Sequence, residues 1–175
     1  MAGGNLIPDK LINAAVYLEG DEFLGIATVT LPEITYMTEA MEGLGIAGPI
    51  ETPVLGHFAS MTIGISFNAP NKQSIQILQG KGHQINVYGS IQHLDAGFSE
   101  ITPKPFKLTA NCLPKKSGIG KAEMGKKMDS ETELEVVTLK LDIDGDNLLD
   151  IDKPNFKAVI LGEDALAEVK SHLGK

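Results

Sequence analysis

The densest run of potential metal ligands is Asp142-Ile143-Asp144-Gly145-Asp146-Asn147-Leu148-Leu149-Asp150-Ile151-Asp152, with five carboxylates in eleven residues. Calcium takes several carboxylate oxygens, so cation binding is the first chemistry to test here. The spacing does not fit. A helix-loop-helix calcium loop counted from Asp142 needs glycine at its sixth position and glutamate at its twelfth, where Asn147 and Lys153 stand. The run reads as the solvated acidic face of a β-hairpin.

Other chemistry is thinner still. His57, His83, His93 and His172 show none of the close spacings that bring two imidazoles to one metal. Cys112 is the sole cysteine and falls on the apolar side of an alternating segment, so neither a disulfide nor a Cys–His nucleophile is indicated. Gly43-Leu44-Gly45-Ile46-Ala47-Gly48 has the GxGxxG form but lies between strand-like segments instead of opening a helix. No metal or cofactor is expected, and the chain reads as a non-enzyme. The basic residues Lys115, Lys116, Lys121, Lys126 and Lys127 are its one basic concentration. With Gly118, Gly120 and Gly125 among them, they suggest a solvated arm able to dock on an acidic neighbour.

The elements that would carry these residues are mostly strands. Met61, Ile63, Ile65 and Phe67 alternate with polar or small residues, as do Ile85, Val87 and Ile91, and Phe106, Leu108, Ala110 and Cys112. The longest strand is expected over 133–144, with Val137, Leu139, Leu141 and Ile143 on one face. It ends at Asp144-Gly145, a favoured pair for a tight hairpin turn, before a returning strand with Leu149 and Ile151. An earlier hairpin is expected at Glu19-Gly20-Asp21, joining 13–18 to 23–30. Two short helices are predicted, one at 74–79 and one opened by Glu163 and Asp164 with a stripe of Leu166, Val169 and Leu173. Segments 43–57 and 113–130 lack periodicity and read as long loops.

The chain has 175 residues, 42% of them hydrophobic and 22% charged, which suits one folded domain over 1–175. Its formal net charge is −8, and every basic residue except histidine is a lysine. Without arginine there is no bidentate fork for phosphate or guanine, so tight nucleic-acid binding is disfavoured. No segment approaches the ~18 apolar residues of a membrane helix, so no direct membrane anchor is expected. Nor does MAGGNLIPDK look like a leader. Synthesis and assembly in the cytoplasm are expected.

In order, Val16-Tyr17-Leu18-Glu19-Gly20, Val29-Thr30-Leu31-Pro32-Glu33-Ile34, the glycines before Pro49, the Lys/Gly segment, Asp129-Ser130-Glu131-Thr132-Glu133, Ile143-Asp144-Gly145 and Gly162-Glu163-Asp164 span nearly the whole chain. Together they resemble the major tail tube proteins of contractile-tailed phages and of headless tail-like bacteriocins. That resemblance implies a mainly β (α+β), antiparallel β-sandwich or barrel-like subunit with a short packed helix and a short C-terminal helix. Such subunits form hexameric rings whose stacked inner walls make one continuous β-barrel. The partners implied are further copies of the chain, tail sheath, a baseplate or tube initiator and a tape-measure protein. DNA would be passing cargo only, and the location would be a virion tail or an extracellular tail-like particle.

A tube subunit needs arms to reach its neighbours. The candidate inter-subunit residues are Gly43, Gly45, Gly48 and Pro49 in one loop and Lys115, Lys116, Lys121, Lys126 and Lys127 in the other. Acidic residues on a lumenal wall would repel DNA phosphate, and Glu33, Glu39 and Glu42 are the candidates for it. Two rivals remain. A monomeric β-sandwich binding module is one, although the absence of Trp and the presence of only three Tyr leave few aromatic platforms. A hydrolase with paired carboxylates is the other, although no pair is singled out.

Overall fold

A computed structural model of the chain describes residues 6–174 apart from 21, 25, 26, 44, 96, 98 and 99. Asp21 of the first expected turn, Leu44 of the glycine-rich loop and the first five residues therefore lie outside the described residues. In chain order come β1 (Leu6–Leu18), β2 (Glu22–Phe23), β3 (Ala27–Thr30), β4 (Tyr36–Met41), β5 (Ile50–Phe58), β6 (Thr62–Phe67) and α1 (Lys72–Gln76). They are followed by β7 (His83–Asp95), β8 (Glu100–Gly118), β9 (Ser130–Ile143), β10 (Asp146–Asp152), β11 (Lys157–Ile160), β12 (Glu163–Asp164) and α2 (Ala167–His172). The described chain is thus mainly β with two short helices, as expected, and every strand pairing is antiparallel.

One sheet runs β12-β11-β10-β9-β8-β7-β1-β2. It forks at β9, whose first half pairs with β6 (Ile65↔Thr132) and whose second half pairs with β10 (Ile151↔Leu139). β3 lies outside β6. The core runs from Val16 and Leu18 through Ile63, Ile65, Ile85, Val87, Leu108, Ala110 and Cys112 to Leu134 and Ile151. The alternating segments named above thus place their apolar residues inward, because side chains on a strand point to opposite faces with period two.

Three departures from the sequence reading have identifiable causes. The apolar set expected on β9 began at Val137, yet Leu134 and Val136 are fully buried and then Leu139, while Val137 is only half-buried. The pairing with β8 slips between Asn111 and Cys112, and the extra residue moves the buried face from even to odd positions. The segment 23–30 is not one strand. Glu19 and Gly20 do turn with φ of 52° and 100°, and β2 returns along β1. Then Leu24 drops fully into the core and β3 pairs with β6. Finally, Glu163 and Asp164 form a two-residue strand and do not open the helix. Asp164 instead accepts from the Leu166 N–H at 3.0 Å and from Lys170 Nζ at 2.8 Å, holding α2 from below. Of the expected stripe only Leu166 is buried, and Leu173 is exposed.

The other expected helix forms at 72–76, slightly earlier than predicted. Asn71 caps it reciprocally with Ser74, satisfying two first-turn N–H groups. The Asp144-Gly145 turn has φ of 55° and 88°, the paired positive values that a two-residue hairpin loop demands.

Candidate functional site

Neither expected loop is a loop throughout. Residues 50–57 belong to β5, which pairs with β4 as a hairpin separate from the main sheet (Glu39↔Thr52, Tyr36↔Phe58). This arm showed no alternation because it has no buried face: β4 is exposed along its whole length and β5 along most of it. Only its tip is irregular, and Gly43, Gly45, Gly48 and Pro49 all lie exposed there. Met37, Met41, Ile50 and Leu55 are exposed apolar residues on the arm.

The lysine segment divides in the same way. Lys115 and Lys116 sit on β8, which continues to Gly118, and face Glu135 and Glu133 across the ladder at 3.6 Å each. Residues 119–129 form a finger, pinched at its base by the Lys121 N–H donating to the Met128 carbonyl at 2.7 Å. Gly120 has φ of 94°, and any Cβ there would run into the Met128 carbonyl, so the base requires glycine. Lys121, Lys126 and Lys127 are exposed on the finger beside Ile119 and Met124. The expected basic arm is therefore shorter than 113–130.

A third exposed feature had no sequence signal. Residues 6–14 of β1, 91–95 of β7 and 100–105 of β8 continue the sheet beyond the core, leaving Leu6, Ile7, Leu11, Ile12, Leu94 and Ile101 exposed. Pro103 lies where β8 has only β7 beside it, and a proline lacks the N–H that an open edge would offer to another strand, while Pro105 closes the end of the β9 ladder by accepting from the Asp144 N–H at 2.9 Å. Between β1 and β3 an apolar groove of about 550 Å³ opens, lined by Leu11, Ile12, Val29, Leu31, Val87 and Phe106.

The candidate acids occupy one region. Glu39 is on β4, Glu42 follows it toward the tip, and Glu33 lies near the arm's base beside Thr35 and Ser60. All three are exposed, and among the described residues none forms an ion pair. Near that base, Glu135 ties the arm to the sheet. Its carboxylate accepts from Ser60 Oγ at 2.5 Å and meets Lys153 Nζ at 3.5 Å, while Lys153 also donates to the Ala59 carbonyl at 3.1 Å. Burial pushes the Glu135 carboxyl up, but the Ser60 hydroxyl and the Lys153 and Lys115 ammonium groups outweigh it and leave it below its ordinary value. A lowered folded value stabilises the protein above the unfolded carboxyl's value of about 4.3 and loses that contribution as pH falls further. Glu135→Gln should accordingly flatten part of the acid limb of a stability–pH curve between pH ~5 and 3. An unchanged limb would show the cluster to be energetically silent.

Catalytic geometry does not assemble. Among the described residues no three His, Cys, Asp or Glu side chains converge on a point where a metal could sit. Four of the five carboxylates of the acidic hairpin are answered one by one, Asp142 by Asn147, Asp144 by Lys104, Asp150 by Lys157 and Asp152 by Asn155, and Asp146 is exposed at the turn. Burial, with Glu135 nearby, pushes the Cys112 thiol up to about 12, so it is no nucleophile at neutral pH. His83 is buried with Nδ1 3.1 Å from Glu19 Oε1, its Nε2 meeting no partner among the described residues.

What the chain exposes, then, is β-structure with apolar side chains on an arm, a finger and a sheet extension. Residues 8–174 match the model of the phage tail tube protein FII family. The chain belongs to this family. Its role is therefore that of a structural protein of the tail tube. A solved chain has the same fold, from the cryo-EM structure of an extracellular contractile injection system, PVC sheath/tube terminator in extended state. The TM-score is 0.51 at 16% identity, over 78% of this chain and 97% of that one. No curated protein matches the chain in sequence. The described monomer has no closed barrel of its own.

Proposed function

We propose that this chain is the subunit of the inner tube of a contractile tail, forming hexameric rings that stack into a hollow conduit. The conduit passes DNA in a complete phage or serves membrane puncture in a headless particle. The observation that carries this reading is that a tail tube family chain leaves an entire two-stranded arm exposed with large apolar residues on it. Such a segment would be an aggregation hazard in a monomer and gains a partner only in an assembly. Open strand edges on β1 and β3 likewise suit pairing across subunits. Tail sheath, an initiator at the baseplate and a tape-measure protein are the further partners, and the finished particle is a virion tail or an extracellular tail-like device.

Exposed, unpaired carboxylates suit a wall that lets DNA slide, and Glu33 is the candidate for it. Glu39 and Glu42 sit on the arm, which favours contact between subunits for those two. Electron microscopy of the purified protein over a concentration series tests the reading. Rings and hollow tubes with sixfold end views are expected. A chain that stays monomeric even with baseplate-derived initiators would overturn it in favour of a monomeric binding module.

A further inference from the structure

We infer that the acidic-apolar arm of one copy docks on the lysine finger of a second copy, head to tail. The inference rests on the tail-tube reading and assigns that assembly a specific contact.

Charge selects the pairing. From residue 11 to residue 71 the chain contains no lysine or arginine, so the arm's Glu39, Glu42 and Glu51 meet no base of their own strands. The finger, residues 119–129, holds Lys121, Lys126 and Lys127 against Glu123 and Asp129, so it is net positive where the arm carries only acids. Exposed apolar side chains accompany both charge sets, Met41 and Ile50 on the arm and Ile119 and Met124 on the finger. Met124 is wholly exposed, and its unbranched side chain can adapt to an apolar partner. Each surface thus offers the chemistry the other lacks.

The fold keeps the two apart within one chain. The arm joins the sheet next to Thr62, and the finger leaves it beside Ser130 and Gly118, where Phe67 pairs. Thr62 and Phe67 are the two ends of β6, five strand residues or about 17 Å apart. Complementary patches at opposite ends cannot satisfy each other internally. Between copies they make a heterologous contact, which closes into a ring or propagates as an open stack and does not form a two-fold dimer. Exposed ion pairs set orientation and encounter more than affinity, so the apolar residues supply most of the adhesion while the charges fix which end meets which.

The test combines charge reversal with cross-linking. A finger variant, Lys121→Glu with Lys126→Glu and Lys127→Glu, and an arm variant, Glu39→Lys with Glu42→Lys and Glu51→Lys, should each raise the concentration needed for tube growth about tenfold or more. Mixing the two variants should restore growth, because each reversed surface then finds a complementary one on the other chain. A zero-length carbodiimide reagent, applied to mixed light- and heavy-isotope protein, should join finger lysines to arm glutamates between chains. Wild-type tubes together with unaffected variants, or an absence of inter-chain arm–finger links in assembled or concentrated protein, would overturn the inference. Tubes without those links would leave the tail-tube reading standing and sink this contact alone.

Discussion

Replacing residues 39–52 by Asn-Gly should abolish tube formation while leaving thermal unfolding nearly unchanged. Thr38 and Pro53 are paired partners, so a two-residue turn can close the shortened hairpin without moving its base. Among the described residues, what the change removes is exposed, apart from partly covered Ile46. Surface changes of this kind shift stability by about 0.5 kcal/mol or so. Tyr36 and Phe58, whose rings meet at 4.9 Å, remain to anchor the stub. Assembly, in contrast, loses the outer arm with its exposed Met41 and Ile50. Electron microscopy and a melting curve on the same sample separate the two effects. Tubes of normal yield would show that the arm is dispensable, whereas loss of cooperative melting would show that it belongs to the fold.

The same logic confines any finger deletion to 122–127. A cut through 115–127 would remove Lys115–Gly118, which pair with β9 through Lys116↔Glu133 and Gly118↔Glu131. Lost assembly in such a variant would then report a damaged sheet and not a missing contact.

How much of this could be read in the sequence depended on whether a strand has one buried face. β6 could be read directly because Ile63, Ile65 and Phe67 turn inward while Thr62, Gly64 and Ser66 are half-exposed. β5 and the first half of β1 left no trace, because alternation is written by burial against a core and these strands have none. The bulge in β9 misplaced one face in the sequence reading, since a single extra residue reverses the parity of everything beyond it. The lysines were legible as a cluster but not as two groups. Their division into strand and finger depends on Gly118 ending a pairing with Glu131, which only the fold displays. The candidate acids could be named from composition, while their common location on and beside one arm required the hairpin.

Gly56→Ala should be a damaging small substitution at the base of the arm, costing about 2–5 kcal/mol. Two causes add. Gly56 has φ of 70°, a region that costs a residue with a Cβ about 1–2 kcal/mol. The new methyl would also collide with the Leu166 side chain, which is fully buried, and overpacking of that kind costs about 1–3 kcal/mol. Leu166 matters because α2 itself buries no residue, so this leucine is the apolar pin that holds the C-terminal segment against the base of the arm. Leu166→Ala alone should cost about 2–5 kcal/mol through the lost burial and the cavity. The double variant should cost less than the sum, by about 1–2 kcal/mol, since removing the leucine side chain relieves the collision and leaves only the backbone strain. Urea unfolding of the four chains measures that coupling. Strict additivity would show that Gly56 and Leu166 do not lock together, and the C-terminal segment would then need another anchor.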